Sequence, residues 1–202
     1  MIYKDIKIAG IILAAGKSFR LGKSKQILAF KKKTILHEII KNACNSLLYE
    51  IIVVLGHNAN KIKKKVDLSN VKVTLNIDYE KGQSSSIQKG LKLISDNCAA
   101  GMFLLGDQPL VSTKIINILI KEFCNTKAYI TIPTCNGKRG NPVIIHRKLF
   151  YKLKSLKYDT GPRILFNEFK KKIKEVETND YGINFDVDTQ KDYEKLKALH
   201  NE

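Results

Sequence analysis

Long hydrophobic runs are missing from this sequence. Hydrophobic residues make up 44% of its 202 positions, yet no apolar stretch approaches the roughly 18 residues of a membrane-spanning helix. The first strand-like run, from Ile6 to Ala15, gives way at once to Gly16 and polar residues, unlike a secretory signal. We therefore expect a soluble, cytoplasmic protein that contacts no membrane.

Metal-binding patterns of cysteine and histidine are missing too. The four cysteines show no CxxC spacing, and the four histidines are too dispersed for a helical HxxxH pair. These spacings argue against a zinc site and favour reduced thiols.

Acidic residues are few. The chain has 19 Asp and Glu against 36 Lys and Arg, which gives a formal net charge of +17. The short lysine runs at 31–33, 63–65 and 170–172 are not interleaved with aromatic residues that would stack on bases. We interpret these runs as solvated helix faces and expect no nucleic-acid partner. The positive potential would still speed the arrival of small anionic substrates.

No linker, internal repeat or low-complexity segment divides the chain, so we predict a single domain over residues 1–202. Short β-branched runs alternate with segments of helical period, as in βαβ units around a mainly parallel sheet. Strands are predicted at 8–14, 50–55, 71–77, 102–105, 129–133 and 142–145, and helices at 34–48, 84–95, 113–123 and 188–199. Ligands of such sheets bind outside the carboxyl ends of the strands. Asp107 follows a strand at this position.

The loop from Leu13 to Lys25 directly follows the first strand and suits a phosphate ligand. Gly16 and the small residues before it let backbone N–H groups approach an anion, while Arg20 and Lys25 supply charged donors. The loop fits neither the Walker A pattern nor GxGxxG. A tight turn after a strand would explain the glycine equally well.

A family resemblance adds to this interpretation. The run LAAGKSFRLGKSKQIL resembles the LAAGxSxRMGxxKxLL signature of nucleotidyltransferases of the molybdenum cofactor type. Similar segments follow in order over nearly the whole chain: VLGH at 54–57, GQSSSI at 82–87, LGDQP at 105–109, KRGNPV at 138–143, DTGPR at 159–163 and FDVDT at 185–189. The resemblance implies an α/β protein with a Rossmann-like three-layer α/β/α fold and a mostly parallel sheet.

The resemblance also implies a site. Its catalytic residues would be Arg20, Lys25 and Asp107. Nucleotide-binding residues would be Leu13, Ala14, Ala15, Gly16, Ser18, Arg20, Lys25, Gly82, Ser84, Ser85 and Asp107. Acceptor-binding residues would be Gln108, Asn141, Asp159 and Arg163.

A divalent cation is expected because nucleotidyl transfer brings an acceptor phosphate to the α-phosphate of a nucleoside triphosphate, and both groups are anions. Mg²⁺ prefers one or two carboxylates together with phosphate oxygens and water, and Asp107 and Asp186 would supply the carboxylates. Asp188 is interpreted first as a cap of the final helix and second as a metal ligand.

Plainer interpretations stay open for single residues. The serines at 84–86 are ordinary candidates for helix N-caps, and Asn141 would suit the turn at 140–142 without any substrate. His57 is interpreted as a local hydrogen-bonding residue rather than a catalytic one.

Within the family, the loop and the GDQP and RGNPV segments are most similar to the cytidylyl branch. This implies transfer of CMP from CTP to molybdenum-molybdopterin, giving molybdopterin cytosine dinucleotide and pyrophosphate, with possible transient contact to a molybdenum hydroxylase. The alternatives are a related transferase with another base or acceptor phosphate, and a non-catalytic cofactor carrier. Leu21, Pro162 and Gln190 depart from the family pattern, and Pro162 lies in the loop that would face the acceptor.

Overall fold

A computed structural model describes residues 6–18 and 21–199. The strands are β1 (Lys7–Ala14), β2 (Ala29–Phe30), β3 (Lys33–Thr34), β4 (Glu50–Leu55), β5 (Lys72–Leu75), β6 (Cys98–Leu105), β7 (Ile130–Cys135), β8 (Lys138–Arg139), β9 (Val143–His146) and β10 (Ile173–Glu177). The α-helices are α1 (Ile35–Cys44), α2 (Ala59–Lys65), α3 (Gln83–Leu91), α4 (Thr113–Asn125), α5 (Phe150–Lys154), α6 (Leu165–Glu168) and α7 (Gln190–Ala198).

One eight-stranded sheet organises these elements. Its order is β10-β7-β9-β6-β1-β4-β5, with β8 paired to β7, while β2 and β3 form a separate two-stranded ribbon. The pairs β1–β4, β1–β6, β4–β5 and β10–β7 are parallel, whereas β9 runs antiparallel to both β6 and β7. The predicted mostly parallel sheet is confirmed.

β1 lies in the interior of the sheet, between β6 and β4, and both of its faces are apolar. Ile8 and Ile12 point into one hydrophobic cluster, while Ala9 and Ile11 point into the other. α1, α2, α4 and α7 cover the first face, and α3, α5 and α6 cover the second. A strand buried on both sides reads as a continuous hydrophobic run, as this one does. The result is the predicted three-layer α/β/α arrangement.

Helix starts follow local capping chemistry. The Thr34 hydroxyl accepts a hydrogen bond from the His37 amide at the start of α1, and Ser112 does the same for Ile115 at α4. α7 begins at Gln190 behind a capping box in which Thr189 and Asp192 exchange hydrogen bonds. The first interpretation of Asp188, as the cap of this helix, is therefore wrong: the capping residue is its neighbour.

All six predicted strands and all four predicted helices are present, with ends displaced by a few residues. The strand β10 was not predicted, and the two-residue strands β2, β3 and β8 were not predicted either. Within residues 6–18 and 21–199, the structure holds no helix with the length and apolar character needed to span a bilayer.

Candidate functional site

The carboxyl ends of the central strands open into a cavity of about 240 Å³. This cavity is lined by Leu13 at the end of β1 and by Ala15 and Gly16 after it. It is also lined by Gly106 and Asp107, which follow the neighbouring strand β6. A Cβ on Gly106 would lie 2.9 Å from the Ala14 Cβ, so the two strand ends are packed too closely for a side chain there. We call this space the loop cavity.

A second cavity of about 470 Å³ adjoins the loop cavity. Leu13, Gln83, Leu105, Asp107 and Asp159 line both spaces. The residues that line the second cavity but not the first include Asn141, Arg163, Asp186 and Asp188. We call it the far cavity. Three of the four predicted acceptor residues, Asn141, Asp159 and Arg163, therefore meet there.

Lys25 and Asp107 form an ion pair at the junction of the two cavities. The Lys25 ammonium hydrogen-bonds to Oδ2 of Asp107 and lies 2.9 Å from Oδ1 of Asp188. Only 13% of the Lys25 side chain and 19% of the Asp107 side chain are exposed. Burial lowers the pKa of Lys25, but the charges and hydrogen bonds of Asp107 and Asp188 outweigh it, so the pKa is raised overall. Lys25 therefore carries its charge at neutral pH.

Asp186 is a further carboxylate beside Asp107 and Asp188. The Gln108 amide donates to Oδ1 of Asp186 at 2.8 Å, and the Val187 amide donates to the Asp107 carbonyl at 2.9 Å. The pKa of Asp186 is raised, first because protein atoms shield its carboxyl from water and second because Asp107 lies nearby. Two carboxylates that repel each other in this way are stabilised by a cation between them.

The donor set fits a divalent cation that also takes ligands from substrate. Oδ1 of Asp107 is buried and accepts no hydrogen bond from the described residues. Within that same part of the chain, no group of three or more His, Cys, Asp or Glu residues is placed to hold a metal ion. Mg²⁺ commonly takes only one or two carboxylates and completes its shell with phosphate oxygens and water. The site thus offers a cation two carboxylates rather than a full protein cage.

Gly82 allows the segment at 158–159 to approach the start of α3. Its φ is 94° and its ψ is −177°, a conformation that is open essentially to glycine alone. A Cβ there would lie 2.5 Å from the Asp159 amide nitrogen. The backbone N–H of Gln83 donates a hydrogen bond to Oδ1 of Asp159 at 3.1 Å. Gly82 thereby fixes the wall that the two cavities share.

The serines at 84–86 do not act as caps. They lie inside α3, whose N-cap residue is Gly82, so the N-cap interpretation is wrong. Ser84 donates to the Tyr158 carbonyl at 2.6 Å, and Ser85 donates to the carbonyls of Asp78 and Gly82. Ser86, rather than Ser84 or Ser85, lines the loop cavity.

Other predicted residues lie around these cavities without lining them. Ala14 is buried and offers its carbonyl to Gln26, and Gln108 is 2% exposed and holds Asp186. The Ser18 hydroxyl accepts from the Lys25 amide at 3.2 Å. The predicted Arg20 lies outside the described residues. Direct contact of these four with substrate stays a prediction.

Sequence reasoning missed Gln26. Its side chain is 2% exposed and lines the loop cavity, and its amide nitrogen lies 3.5 Å from the Ala14 carbonyl and 3.4 Å from the Gly16 carbonyl. The amide thus ties the two ends of the loop's first turn together. The available signal was one polar residue directly before the apolar pair Ile27 and Leu28.

Comparison with known proteins gives this geometry a family. The family described as MobA-like NTP transferase domain matches residues 10–175. The molybdenum cofactor cytidylyltransferase of Escherichia coli (strain K12) is 28% identical over 197 residues, covering 95% of this chain and 96% of that protein. The purine catabolism protein PucB of Bacillus subtilis (strain 168) is 29% identical over 204 residues, covering 94% and 96%.

A solved structure agrees with the fold. The manganese complex of Rv0371c from Mycobacterium tuberculosis H37Rv superposes with a TM-score of 0.82 at 26% identity, covering 94% of this chain and 97% of that one. The family match, the central sheet and the carboxylates at its strand ends lead to one conclusion. The chain belongs to the MobA-like NTP transferase domain family and is a nucleotidyltransferase with a Rossmann-like fold.

Proposed function

We propose that this nucleotidyltransferase transfers CMP from CTP to molybdenum-molybdopterin, giving molybdopterin cytosine dinucleotide and pyrophosphate. One observation carries the proposal: the partly buried Lys25–Asp107 pair lies where a cavity lined by residues of the 13–26 loop meets one lined by Asn141 and Arg163. Two anionic substrates placed in these cavities would meet at that pair. The similarity to a molybdenum cofactor cytidylyltransferase supports the choice of substrates.

The loop cavity suits the triphosphate. Ala15 and Gly16 line it with small side chains, and a Cβ on Gly16 would meet no atom within 4 Å, so the backbone is open to an approaching phosphate. Lys25 brings a fixed positive charge to the junction. The ammonium would stabilise the charge that builds on the leaving pyrophosphate, and Arg20 is proposed to share this role.

The far cavity suits the acceptor. Arg163 would bind the acceptor phosphate through paired N–H donors, and the Asn141 amide would donate to or accept from a polar group of the pterin. No protein nucleophile is required, because binding both substrates at the junction supplies orientation. Asp107 and Asp186 would hold Mg²⁺, which supplies charge neutralisation between the two phosphates when bound.

Further parts of the proposal concern the chain as a whole. We propose that residues 1–202 form one domain and that the protein works in the cytoplasm, where nucleoside triphosphates are available. Transient contact with a molybdenum hydroxylase would follow from delivering the product. Neither nucleic acid nor a membrane is needed for the reaction.

The base and the acceptor define the second candidate. PucB, a protein named for purine catabolism, is as similar to this chain as the cytidylyltransferase is. A transferase with another base or acceptor phosphate would use the same two cavities, and a non-catalytic carrier of the cofactor would use the far cavity alone.

Pyrophosphate release distinguishes these candidates. Purified protein is given Mg²⁺, molybdenum-molybdopterin and either CTP, GTP, ATP or UTP. We expect release with CTP. Release with a different nucleotide would replace the proposed base, and a folded sample that binds the cofactor but releases no pyrophosphate would support the carrier.

A further inference from the structure

A third cavity, distinct from the loop cavity and the far cavity, lies beside the same loop. It has a volume of about 510 Å³ and lies between the loop and α2. The loop contributes Lys17, Ser18, Gly22, Lys23 and Ser24, and α2 with the turn before it contributes His57, Asn58, Lys61 and Lys65. We call it the basic cavity. Among the residues that the structure describes, its lining includes four lysines and no Asp or Glu.

The basic cavity and the loop cavity are back to back across the loop. Gly16 lines the loop cavity and Lys17 the basic cavity; likewise Ser24 lines the basic cavity and Lys25 the loop cavity. The described residues of the loop therefore form a wall shared by the two cavities, and the lining changes sides between Gly16 and Lys17 and again between Ser24 and Lys25. A small anion leaving the loop cavity over this wall would meet the lysines next.

Two of the four lysines of the basic cavity lie on one face of α2. Lys61 and Lys65 are both exposed and lie four residues apart, where side chains of a helix are neighbours. Like charges at this spacing repel each other. Lys17 is paired with Glu80, whereas the described residues offer Lys23, Lys61 and Lys65 no carboxylate within ion-pair distance. A ligand with several negative charges would relieve this repulsion.

Hydrogen bonds hold polar groups that line the basic cavity in place. The Asn58 amide donates to the Ser24 hydroxyl at 2.6 Å and lies 3.1 Å from Nδ1 of His57. These contacts fix α2 against the loop, so the lysines face the same space as the loop residues. Ile27 and Leu28 close the cavity beneath them.

We propose that the basic cavity is a second anion site, which binds the pyrophosphate leaving the catalytic junction. The inference rests on the proposed nucleotidyl transfer for the origin of its ligand. Binding there would draw the product away from Lys25 before it reaches solvent. The chemistry recognised is that of a compact inorganic diphosphate, not of a nucleoside.

Calorimetric titration with inorganic pyrophosphate tests the site without turnover. The protein is first saturated with a CTP analogue that carries a methylene group between the α- and β-phosphates, in Mg²⁺ buffer of low ionic strength. We expect one pyrophosphate still to bind. Loss of all pyrophosphate binding once the analogue is present would mean a single shared site and would overturn the proposal.

Two double variants of the same helix locate the second site. Lys61→Gln/Lys65→Gln removes two lining charges, and Lys63→Gln/Lys64→Gln removes two exposed charges that do not line the cavity. We expect the first to weaken pyrophosphate binding by about tenfold and the second by less than about threefold. If both variants weaken pyrophosphate binding equally, the effect comes from overall charge, which contradicts the proposal. If the first variant also loses affinity for the CTP analogue, the cavity is part of the nucleotide site, which contradicts it as well.

This test and the test of the proposed function fail in different ways. If the enzyme uses another base or acceptor, the matching triphosphate analogue replaces the CTP analogue and the pyrophosphate titration is unchanged. If cytidylyl transfer is correct and the basic cavity is not a product site, CTP turnover persists while pyrophosphate competes directly with the analogue.

Discussion

At the residue scale, Asp107 lies at the centre of the site, where it shares the Lys25 ammonium with Asp188. One of its oxygens pairs with Lys25, and the other is buried and accepts no hydrogen bond from the described residues. A carboxylate so placed is costly unless a cation uses the second oxygen. This is why we propose that Asp107 would hold the metal rather than serve a structural role.

Asp107→Asn tests that role directly. The amide keeps the shape but removes the negative charge, so we expect turnover to fall by about 10²–10³-fold. Steady-state pyrophosphate release measures the change, and the melting temperature reports whether the fold survives.

Asp96→Asn is the matched control. Its carboxyl group is fully exposed and makes only a long ion pair, 3.5 Å, with Arg147. It should leave turnover within about twofold of wild type, since surface substitutions of this kind have small effects. If Asp107→Asn keeps the wild-type rate, Asp107 is not part of the reacting centre.

Individual residues show how far the sequence alone reaches. Gly16 and Asp107 were found because they stand just after strands, where open α/β sheets bind ligands, and Lys25 because it is a charged donor in the loop that follows the first strand. Asp188 was misassigned because a carboxylate before Thr189 has the pattern of a cap, and only tertiary structure reveals its partner Lys25, which is 163 residues away. Gln26 was missed because a single polar letter does not say which way its side chain points.

At the scale of elements, the turn into α3 depends on a glycine. Gly82→Ala would force a Cβ to within 2.6 Å of Asp159 backbone atoms in a conformation that side chains rarely adopt. We expect a loss of stability of about 2–4 kcal/mol, measured by urea unfolding, because backbone strain and overlap add.

Gly137→Ala separates the two contributions. Gly137 also has a positive φ, 71°, but a Cβ there would meet no atom within 4 Å. It should cost only about 1–2 kcal/mol, the strain of a left-handed residue. If both variants lose the same stability, the close approach to Asp159 is not what requires glycine at position 82.

The end of β9 gives the fold a dependence on pH. His146 lies beside the rings of Phe123 and Tyr129, with centroids 6.0 and 5.7 Å away, and its Nδ1 accepts from the Lys148 amide. Burial lowers the pKa of His146, and the charge of Lys148 lowers it further. The unfolded chain therefore takes up a proton more readily than the folded one as pH falls through about 6.5.

We expect wild-type stability to decline between about pH 7.5 and 5.5, and the decline to be smaller in His146→Asn, which keeps an acceptor for the Lys148 amide but does not titrate. Urea unfolding at several pH values gives the two slopes. Identical slopes would mean that His146 titrates alike in the folded and unfolded chains.

Element prediction succeeded where both faces of a strand or one face of a helix are apolar. β1 and β4 were located within one residue because they are buried runs. α4 was located within two residues because its apolar residues recur at helical spacing. β10 has the sequence IKEVE and only Val176 is buried, so its composition does not separate it from a loop. Its place at the sheet edge, beside β7, explains both the charge and the failure.

At the scale of the whole molecule, the fold brings together segments that are far apart in sequence. The loop at 13–25, the strand end at 107, the turn at 141 and the segment at 186–188 all border two adjoining cavities. The order of these segments was readable from the sequence. That β9 runs antiparallel between β6 and β7, and so carries Asn141 to the same edge, follows only from the sheet topology.

The net charge of +17 belongs to the same scale. Its effect on anionic substrates acts through the whole surface and falls with salt, whereas the ion pair at the junction acts at contact distance and is partly buried. The overall positive charge would therefore speed the arrival of anionic substrates, whereas we propose that Lys25 and Asp107 act in the reaction itself.

The most direct test of the account follows two phosphorus labels of CTP. Protein, Mg²⁺ and molybdenum-molybdopterin are mixed with CTP labelled at the α- or the γ-phosphate, and the products are separated. We predict that the α-label enters the molybdopterin dinucleotide, that the γ-label leaves in pyrophosphate, and that Asp107→Asn loses both. Appearance of the γ-label in the acceptor or in inorganic phosphate, or failure of the α-label to reach the acceptor, would contradict cytidylyl transfer at this site.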